Sequence, residues 1–150
     1  MTRALVLVVA LSLTACGSSS PTLPTTTSAP TIANLAANFS TAGCIRAADG
    51  LAGRALVVTF DFSDPTGNTS GGRIQLTRVY STGRSETHLF VVPTEVTLSG
   101  TATSGQVRIG NACPLYNDAT GSTERLTLID ASGATSNTLS VSVIRPAGAP

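Results

Sequence analysis

Three cysteines and a single histidine are the residues of this chain with the most versatile chemistry. A thiolate can act as a nucleophile or a metal ligand, and a thiol can become half of a disulfide. Cys16 ends an apolar run and opens a tract rich in Ser, Pro and Thr, whereas Cys44 and Cys113 lie in the longer remainder. The surroundings of each cysteine therefore indicate which role it has.

Residues 1–15 have the three parts of a secretory signal. Arg3 gives a cationic start, about twelve apolar residues follow, and small residues precede Cys16. A helix of that length rises only about 18 Å, short of the roughly 30 Å of hydrocarbon that a spanning helix crosses. The segment is thus predicted to direct export rather than to hold the chain as a transmembrane helix.

The stretch "LTAC" at residues 13–16 resembles the lipobox of bacterial lipoproteins. The resemblance implies cleavage before Cys16 and a diacylglyceryl group on its sulfur. Two or three acyl chains anchor a protein stably, so the first predicted partner is a membrane. Gly17 replaces the Asp that often retains lipoproteins at the inner membrane, which favours the outer membrane if the host has one. An unmodified Cys16 in an ordinary apolar helix and a secreted protein without lipid remain the alternatives.

Composition bounds the mature chain to one domain and a linker. Without Arg3, eight Arg stand against eight Asp and Glu, and the sequence has no Lys. A neutral chain without clustered Arg has no electrostatic footprint for DNA, RNA or anionic lipid, so no nucleic-acid partner is predicted. We expect a lipidated Cys and linker over residues 16–31, a domain over 32–146 and a tail over 147–150.

Assigning Cys16 to lipid leaves Cys44 and Cys113 as an even pair. Export would place both in an oxidising compartment, where disulfides persist. On the chain-entropy model, a bridge between these positions removes about 4 kcal/mol of unfolded-state freedom. We therefore predict a disulfide, with two free buried thiols as the alternative.

The sequence after the signal divides into a tether and an all-β region. Residues 17–31 read "GSSSPTLPTTTSAPT" and would span about 20 Å as a coil or about 45 Å as polyproline II. Beyond them, short runs of Val, Leu, Ile, Thr and Phe are broken by turn residues at the spacing of a sandwich or barrel. Strands are predicted at residues 31–39, 55–62, 73–80, 86–98, 105–109, 126–128 and 139–143.

Two irregularities qualify these predicted strands. Hydrophobic alternation slips between Leu76 and Val79, which suggests a bulge. Pro93 cannot donate to a ladder, so its strand should lie at an edge or switch sheets there. Helix is limited to a turn or two, near Ala47 or Tyr116.

The predicted layout resembles the immunoglobulin-like or fibronectin III-like sandwich of about seven strands. The last hairpin, "LTLIDASGATSNTLSVSV", is similar to the final strands of many bacterial modules of this kind. The resemblance implies a single antiparallel β-sandwich. Counting its connections places Cys44 and Cys113 at one pole, and the turns at residues 64–67 and 130–133 at the other, provided that Pro93 does not divide its strand into two. The pair lies outside the positions of the antibody core disulfide, which is not carried over.

Most remaining polar motifs have structural explanations. Three D-x-x-G segments, at residues 64–67, 118–121 and 130–133, fit type I turns. Calcium binding would use Asp61, Asp64 and Asn68, but six or more oxygens are needed. No cofactor and no metal site are therefore predicted.

His88 and one loop are the remaining site candidates. His88 has no second histidine with which to build a zinc site, and a hydrolase would need a Ser and an Asp beside it. The loop "CPLYNDATGS" offers Tyr116, Asn117 and Asp118 to a ligand, with Tyr116 expected to be exposed. A Tyr116 side chain that only covers the end of the sandwich is the alternative.

These residues predict a lipid-anchored, non-enzymatic protein of the cell envelope. Its expected work is adhesion, envelope assembly or accessory binding, with an envelope protein or a glycan as partner. The alternative is a carbohydrate-binding accessory domain or a small hydrolase with a pocket near His88 or Tyr116. A cluster of His88 with two carboxylates would favour that alternative.

Overall fold

The computed structural model describes residues 28–45, residue 50 and residues 52–147. These residues form eight β-strands in two antiparallel four-stranded sheets, with orders β1-β2-β6-β5 and β4-β3-β7-β8. The predicted all-β sandwich is confirmed. The strands are β1 (Thr31–Ile45), β2 (Ala52–Ser63), β3 (Arg73–Tyr80), β4 (Ser85–Val91), β5 (Thr97–Gly100), β6 (Ser104–Ala112), β7 (Gly121–Ile129) and β8 (Leu139–Ile144).

The described part of the chain contains no helix at Tyr116 or elsewhere, and thus none long and apolar enough to cross a membrane. The turn or two of helix expected near Tyr116 is therefore absent. Ala47, the other expected position, lies outside the described residues, as do the signal, Cys16 and most of the linker.

Pro93 divides the predicted strand at residues 86–98 into two. The Val92–Pro93 peptide bond is cis, and Glu95 N donates to Val91 O at 2.9 Å, so the chain turns there. β4 lies at an edge of one sheet and β5 at an edge of the other, which confirms that the chain switches sheets at this proline. The expected count of seven strands is therefore one too low.

Side chains at alternate positions of both sheets form the core. In β2, Leu56, Val58, Phe60 and Phe62 all point inward, as their spacing predicts. Fully burying each such side chain is worth about 1.5–3 kcal/mol. The remaining buried members of this cluster are Ile32, Ile74, Leu76, Val92, Val96, Val107, Ile109, Leu126, Leu128 and Val143.

The bulge predicted in β3 does not exist. β3 pairs with β7 in unbroken register from Arg73↔Ile129 to Tyr80↔Ser122. Its buried positions after Ile74 and Leu76 are Arg78 and Tyr80, not Val79. The apparent slip in alternation arose because an arginine, not an apolar residue, occupies a core position.

β1 extends six residues beyond its predicted end at Phe39. Its last part still pairs with β2, through Gly43↔Arg54, Cys44↔Gly53 and Ile45↔Ala52. This part, "STAGCI", has little hydrophobic alternation, so the sequence did not predict its ladder with β2. The extension matters because it brings Cys44 to the end of the sandwich.

Asn137 clips the start of β1 to the opposite sheet. Its Oδ1 accepts from Ile32 N at 2.8 Å, and its Nδ2 donates to Ile32 O at 3.0 Å. One side chain thus satisfies both backbone groups of Ile32, as a neighbouring strand would. Asn137 precedes β8, so the clip joins the two sheets where the chain enters the domain.

The two ends of the sandwich differ, and we call them the N-terminal pole and the bridge pole. The N-terminal pole holds the start of β1, since Thr31 pairs with Ser63, together with the turns at residues 64–72 and 130–136. Ala131 N donates to Asn68 O at 3.0 Å, so these two turns touch even though the premise of the connection count, an undivided strand at Pro93, is wrong. The bridge pole holds the ends of β1, β3, β6 and β8.

Two of the three D-x-x-G segments form the predicted turns. Gly67 N donates to Asp64 O and Gly133 N to Asp130 O, each at 3.0 Å. The third prediction is wrong, because the turn there runs from Tyr116 to Ala119, whose N donates to Tyr116 O at 2.7 Å. Asn117, at φ 47°, takes the left-handed conformation in it, which Asn tolerates better than most residues.

Candidate functional site

The predicted disulfide is present at the bridge pole. Cys44, near the end of β1, is bonded to Cys113, the first residue after β6, with their Cα atoms 5.8 Å apart. The alternative of two free thiols is therefore wrong. Cys113 lies in the sixth connection between strands rather than in the expected fifth, because the turn at Pro93 adds a strand. The bridge nevertheless joins the pole where the count placed it.

Residues 113–120, here called the bridge loop, start at the disulfide and lead into β7. Tyr80 and Arg84 of the β3–β4 hairpin hold its first half. Leu115 N donates to Tyr80 Oη at 3.2 Å, and Arg84 Nη2 donates to Leu115 O. The Arg84 guanidinium also lies 3.8 Å from the centroid of the Tyr80 ring, in a cation–π contact. These contacts fix the loop to the sheet that contains β3 and β4, and the disulfide joins it to β1 of the other sheet.

Ser81 and Arg145 hold the second half of the bridge loop. Thr120 N donates to Ser81 Oγ at 2.9 Å, and Arg145 Nη1 donates to Asn117 O. Arg145 N also donates to Thr120 O at 2.9 Å. These bonds satisfy carbonyls that would otherwise face solvent, so the loop backbone is braced along its length.

Tyr116 is buried, and the expectation that it is exposed is wrong. The residue is 1 % exposed, and its ring lies 5.5 Å from that of Tyr80 and 6.0 Å from that of Phe39. Its hydroxyl is 3.1 Å from Ser122 Oγ, and burial raises its pKa. The polar residues of the loop gave no indication of this aromatic cluster. The burial of Tyr116 agrees with the alternative that its side chain covers the end of the sandwich.

Asn117 and Asp118 are the members of the predicted ligand set that face solvent. Beside them lie two cavities of about 490 and 470 Å³, which share Thr120 and Ile144 as lining residues. Ile144 is 84 % exposed, so it is an apolar side chain without a cover within the described residues. The bridge pole therefore combines a rigid loop, polar side chains and an apolar contact.

A charged network lies below this pole, inside the sandwich. Arg78 Nε donates to Glu124 Oε1 and Arg78 Nη1 to Glu86 Oε1, each at 2.7 Å. Burial works against the charge of Arg78, but the Glu124 charge and these bonds raise its pKa. Arg78 Nη2 and Glu124 Oε2 make no hydrogen bond within the described residues. The sequence signal for the pair was the broken alternation in β3.

Glu86 links this network to the surface. Its Oε1 accepts from Tyr80 Oη at 2.6 Å as well as from Arg78. Burial alone would raise the pKa of Glu86, but the bonds from Tyr80 and Arg78 lower it. Its carboxylate is thus committed to holding β3 and β4 together.

His88 meets one carboxylate rather than the two that the hydrolase alternative required. Its Nε2 lies 3.7 Å from Glu86 Oε1, the oxygen that Arg78 and Tyr80 already use. The side chain is 49 % exposed on edge strand β4, and its ring lies 6.2 Å from that of Phe90. This is the geometry of a strand-surface histidine.

Of the three calcium candidates, Asp64 and Asn68 share one turn, whereas Asp61 has other partners. Asp61 lies on β2 and accepts from Asn34 at 2.7 Å and Gln106 at 3.2 Å, bonds that lower its pKa. Asp64 and Asn68 belong to a separate turn. Among the described residues, no three His, Cys, Asp or Glu side chains are grouped so as to hold a metal.

Asp64 instead organises its own turn. Its carboxylate accepts from Thr66 N and Oγ1, Asn68 N and Thr69 Oγ1 at 2.6–3.0 Å. Burial alone would raise the pKa of Asp64, yet these bonds lower it. In the amide orientation that suits all its neighbours, Asn68 Nδ2 donates to Asp64 Oδ2 and Asp130 Oδ2. Both buried aspartates therefore have structural roles.

No protein-family model, curated protein or solved structure matches the chain. The residues and their geometry therefore carry the functional argument.

Proposed function

We propose that this chain is an exported, lipid-anchored protein of the cell envelope with a non-catalytic binding or structural domain. The observation that carries the proposal is the Cys44–Cys113 disulfide. Disulfides persist in oxidising, extracytoplasmic compartments and are rare in reducing ones. The fold therefore agrees with the export that residues 1–15 predict, by an argument that does not use those residues.

The strand order supports the immunoglobulin-like resemblance. Naming the eight strands A, B, C, C′, D, E, F and G in chain order gives sheets A-B-E-D and C′-C-F-G. Sheets of this order are the hallmark of the immunoglobulin sandwich. We propose this class for the domain on the basis of topology, without an antibody-type core disulfide.

Anchoring at Cys16 gives the two poles different surroundings. β1 starts at Thr31, so the linker joins the domain at the N-terminal pole. The fifteen residues of β1 rise about 50 Å if fully extended, which places the bridge pole at the far end. An anchored domain therefore presents the bridge loop away from its own membrane, where an envelope partner can reach it.

The bridge loop is the surface we assign to binding. Its backbone is braced, so a partner would not have to pay the entropy of ordering it. Asn117 and Asp118 supply exposed polar groups, and Ile144 supplies an apolar contact. Adhesion, envelope assembly and accessory binding all use such a surface, with an envelope protein or glycan as the partner.

The residues on which the two alternative functions depend are not available for those functions. Sugar binding through Tyr116 needs an exposed ring for stacking, whereas this ring is buried. Hydrolysis through His88 needs an orienting carboxylate, whereas Glu86 is engaged by Arg78 and Tyr80. We therefore propose no catalytic role for either residue.

Detergent partitioning of the expressed full chain tests the anchor. The wild type should enter the detergent phase and become labelled by a radioactive fatty acid, because the acyl chains are on Cys16. Cys16→Ala should lose the label and stay unprocessed or become soluble, while Ser18→Ala serves as the matched control. Fatty-acid labelling of Cys16→Ala at the wild-type level would contradict the proposal.

A further inference from the structure

We propose that this domain bears mechanical load between its tether and a partner on the bridge loop, and that β1 and the disulfide carry this load. The inference rests on the proposed anchoring and binding surfaces. It follows from where three features lie: the start of β1, the Cys44–Cys113 bond, and the loop that begins at Cys113.

The covalent route between the two poles is short. From Thr31, one strand runs the length of the sandwich to Cys44, and the disulfide then passes directly to Cys113. The bridge loop starts at that residue. The intervening chain, with a sequence separation of 69 residues between the two cysteines, contains β2, β3, β4, β5 and β6. Tension from the linker to the bridge loop therefore bypasses five of the eight strands.

The first part of this route resists sliding. β1 runs from one pole to the other, so tension along it acts parallel to the strand and across its hydrogen bonds with β2. Three paired runs of β1, at residues 31–33, 36–39 and 43–45 and separated by two register shifts, share that load instead of opening one after another. The Asn137 clip adds two bonds at Ile32, close to the point where the linker pulls.

The second part of the route is equally constrained. Cys113 begins the loop, and Leu115 is bonded to Tyr80 and Arg84 within two residues. A partner that pulls on Asp118 would load the disulfide through residues 113–117 and the braced end of the loop through residues 119–120. The route from linker to loop is thus held by hydrogen bonds at both of its ends.

Single-molecule force spectroscopy on the full chain in detergent tests the route. Attachment peptides inserted at Ser28 and at Asp118, both exposed, avoid thiol chemistry. In the oxidised protein the bridge hides the chain between Cys44 and Cys113, so unfolding can release only short lengths. Reduction with dithiothreitol during the measurement should add about 230 Å of extension, from a sequence separation of 69 residues.

Pulling direction supplies the matched control. Attachment at Thr66 and Ala102, both exposed turn residues between the two cysteines, places the bridge outside the loaded route. Both turns lie at the N-terminal pole, where Asp64 N donates to Thr103 O at 2.7 Å, so tension between them peels strands from that end. Reduction should leave the released length there unchanged. The oxidised wild type should also unfold at a higher force along the 28–118 direction than along the 66–102 direction, because only the first loads a strand lengthwise.

Two results would overturn the proposal: equal extension before and after reduction along the 28–118 direction, or an oxidised unfolding force there that is no higher than along the 66–102 direction. Asn137→Ala should lower the force along 28–118 without changing the length that reduction adds. Neither measurement depends on lipid at Cys16. A negative force measurement would therefore leave the anchoring proposal intact. An absence of fatty-acid label on the wild type would likewise leave the force result intact.

Discussion

Arg78 Nε donates to Glu124 Oε1 at 2.7 Å across β3 and β7, and both side chains are almost fully withdrawn from solvent. The pair occupies a core position between layers of leucine and tyrosine side chains. Burying two charges is costly, and their attraction offsets that cost only while both are present. We therefore expect the pair to fix the register of two central strands rather than to add net stability.

Removing one partner of this pair should be far worse than removing both. Arg78→Met leaves the Glu124 carboxylate uncompensated and should lower the free energy of unfolding by about 3–5 kcal/mol. The double variant Arg78→Met with Glu124→Leu should recover most of that loss. Urea denaturation of the three proteins measures it, and a double variant less stable than Arg78→Met would contradict this account.

Asp64 should make stability depend on acidity. Its folded pKa is lowered, so its stabilisation is complete above the ordinary pKa of a carboxyl and is lost as pH falls through the folded value. Asp64→Asn should cost about 2 kcal/mol at pH 7 and markedly less at pH 3. The exposed Asp118→Asn variant is the control. A difference from wild type that stays constant between the two pH values would refute this role.

The Asn137 clip should contribute to the free energy of unfolding about as much as two hydrogen bonds to the backbone. Asn137→Ala removes both bonds to Ile32 and should lower the free energy of unfolding by about 1–3 kcal/mol. Asn137→Asp keeps the acceptor but loses the donor, so it should lie between Ala and wild type. Thermal unfolding would rank the three proteins, and an Asp variant as stable as wild type would show that only one bond matters.

Glu95 should protect the open edge of β4. Its Oε2 accepts from Val91 N at 2.7 Å, which caps a backbone donor beside the exposed side chains of Leu89 and Val91. Glu95→Ala would free that donor on an apolar edge, the feature that promotes pairing with another chain. Light scattering should show more self-association for Glu95→Ala than for the matched control Asp118→Ala, which removes an exposed carboxylate from the bridge loop. Equal self-association of the two variants would contradict the proposed protection of the β4 edge by Glu95.

The sequence was a good guide wherever apolar alternation and turn residues coincide. β2 and the β7–β8 hairpin lie where the alternation predicts strands, and Pro93 marks the change of sheet. The cysteine count gave the disulfide, because an even pair in an exported chain has few other uses. These features depend on local chemistry or on simple topology.

The rest required tertiary information. Arg78 reads as a surface residue until Glu124, 46 positions away, is placed opposite it. Tyr116 reads as exposed because its neighbours in sequence are polar, whereas its neighbours in space are Tyr80 and Phe39. The Asn137 clip has no sequence signal at all, since any Asn before a strand looks the same.

Intact-mass analysis of the protein from membrane fractions tests the central claim, a lipid-anchored and disulfide-bonded envelope domain, most directly. The account predicts a chain without residues 1–15, a diacylglyceryl mass on Cys16, and no alkylation of Cys44 or Cys113 before reduction. An intact N-terminus with an unmodified Cys16, or two cysteines alkylated without reduction, would contradict it.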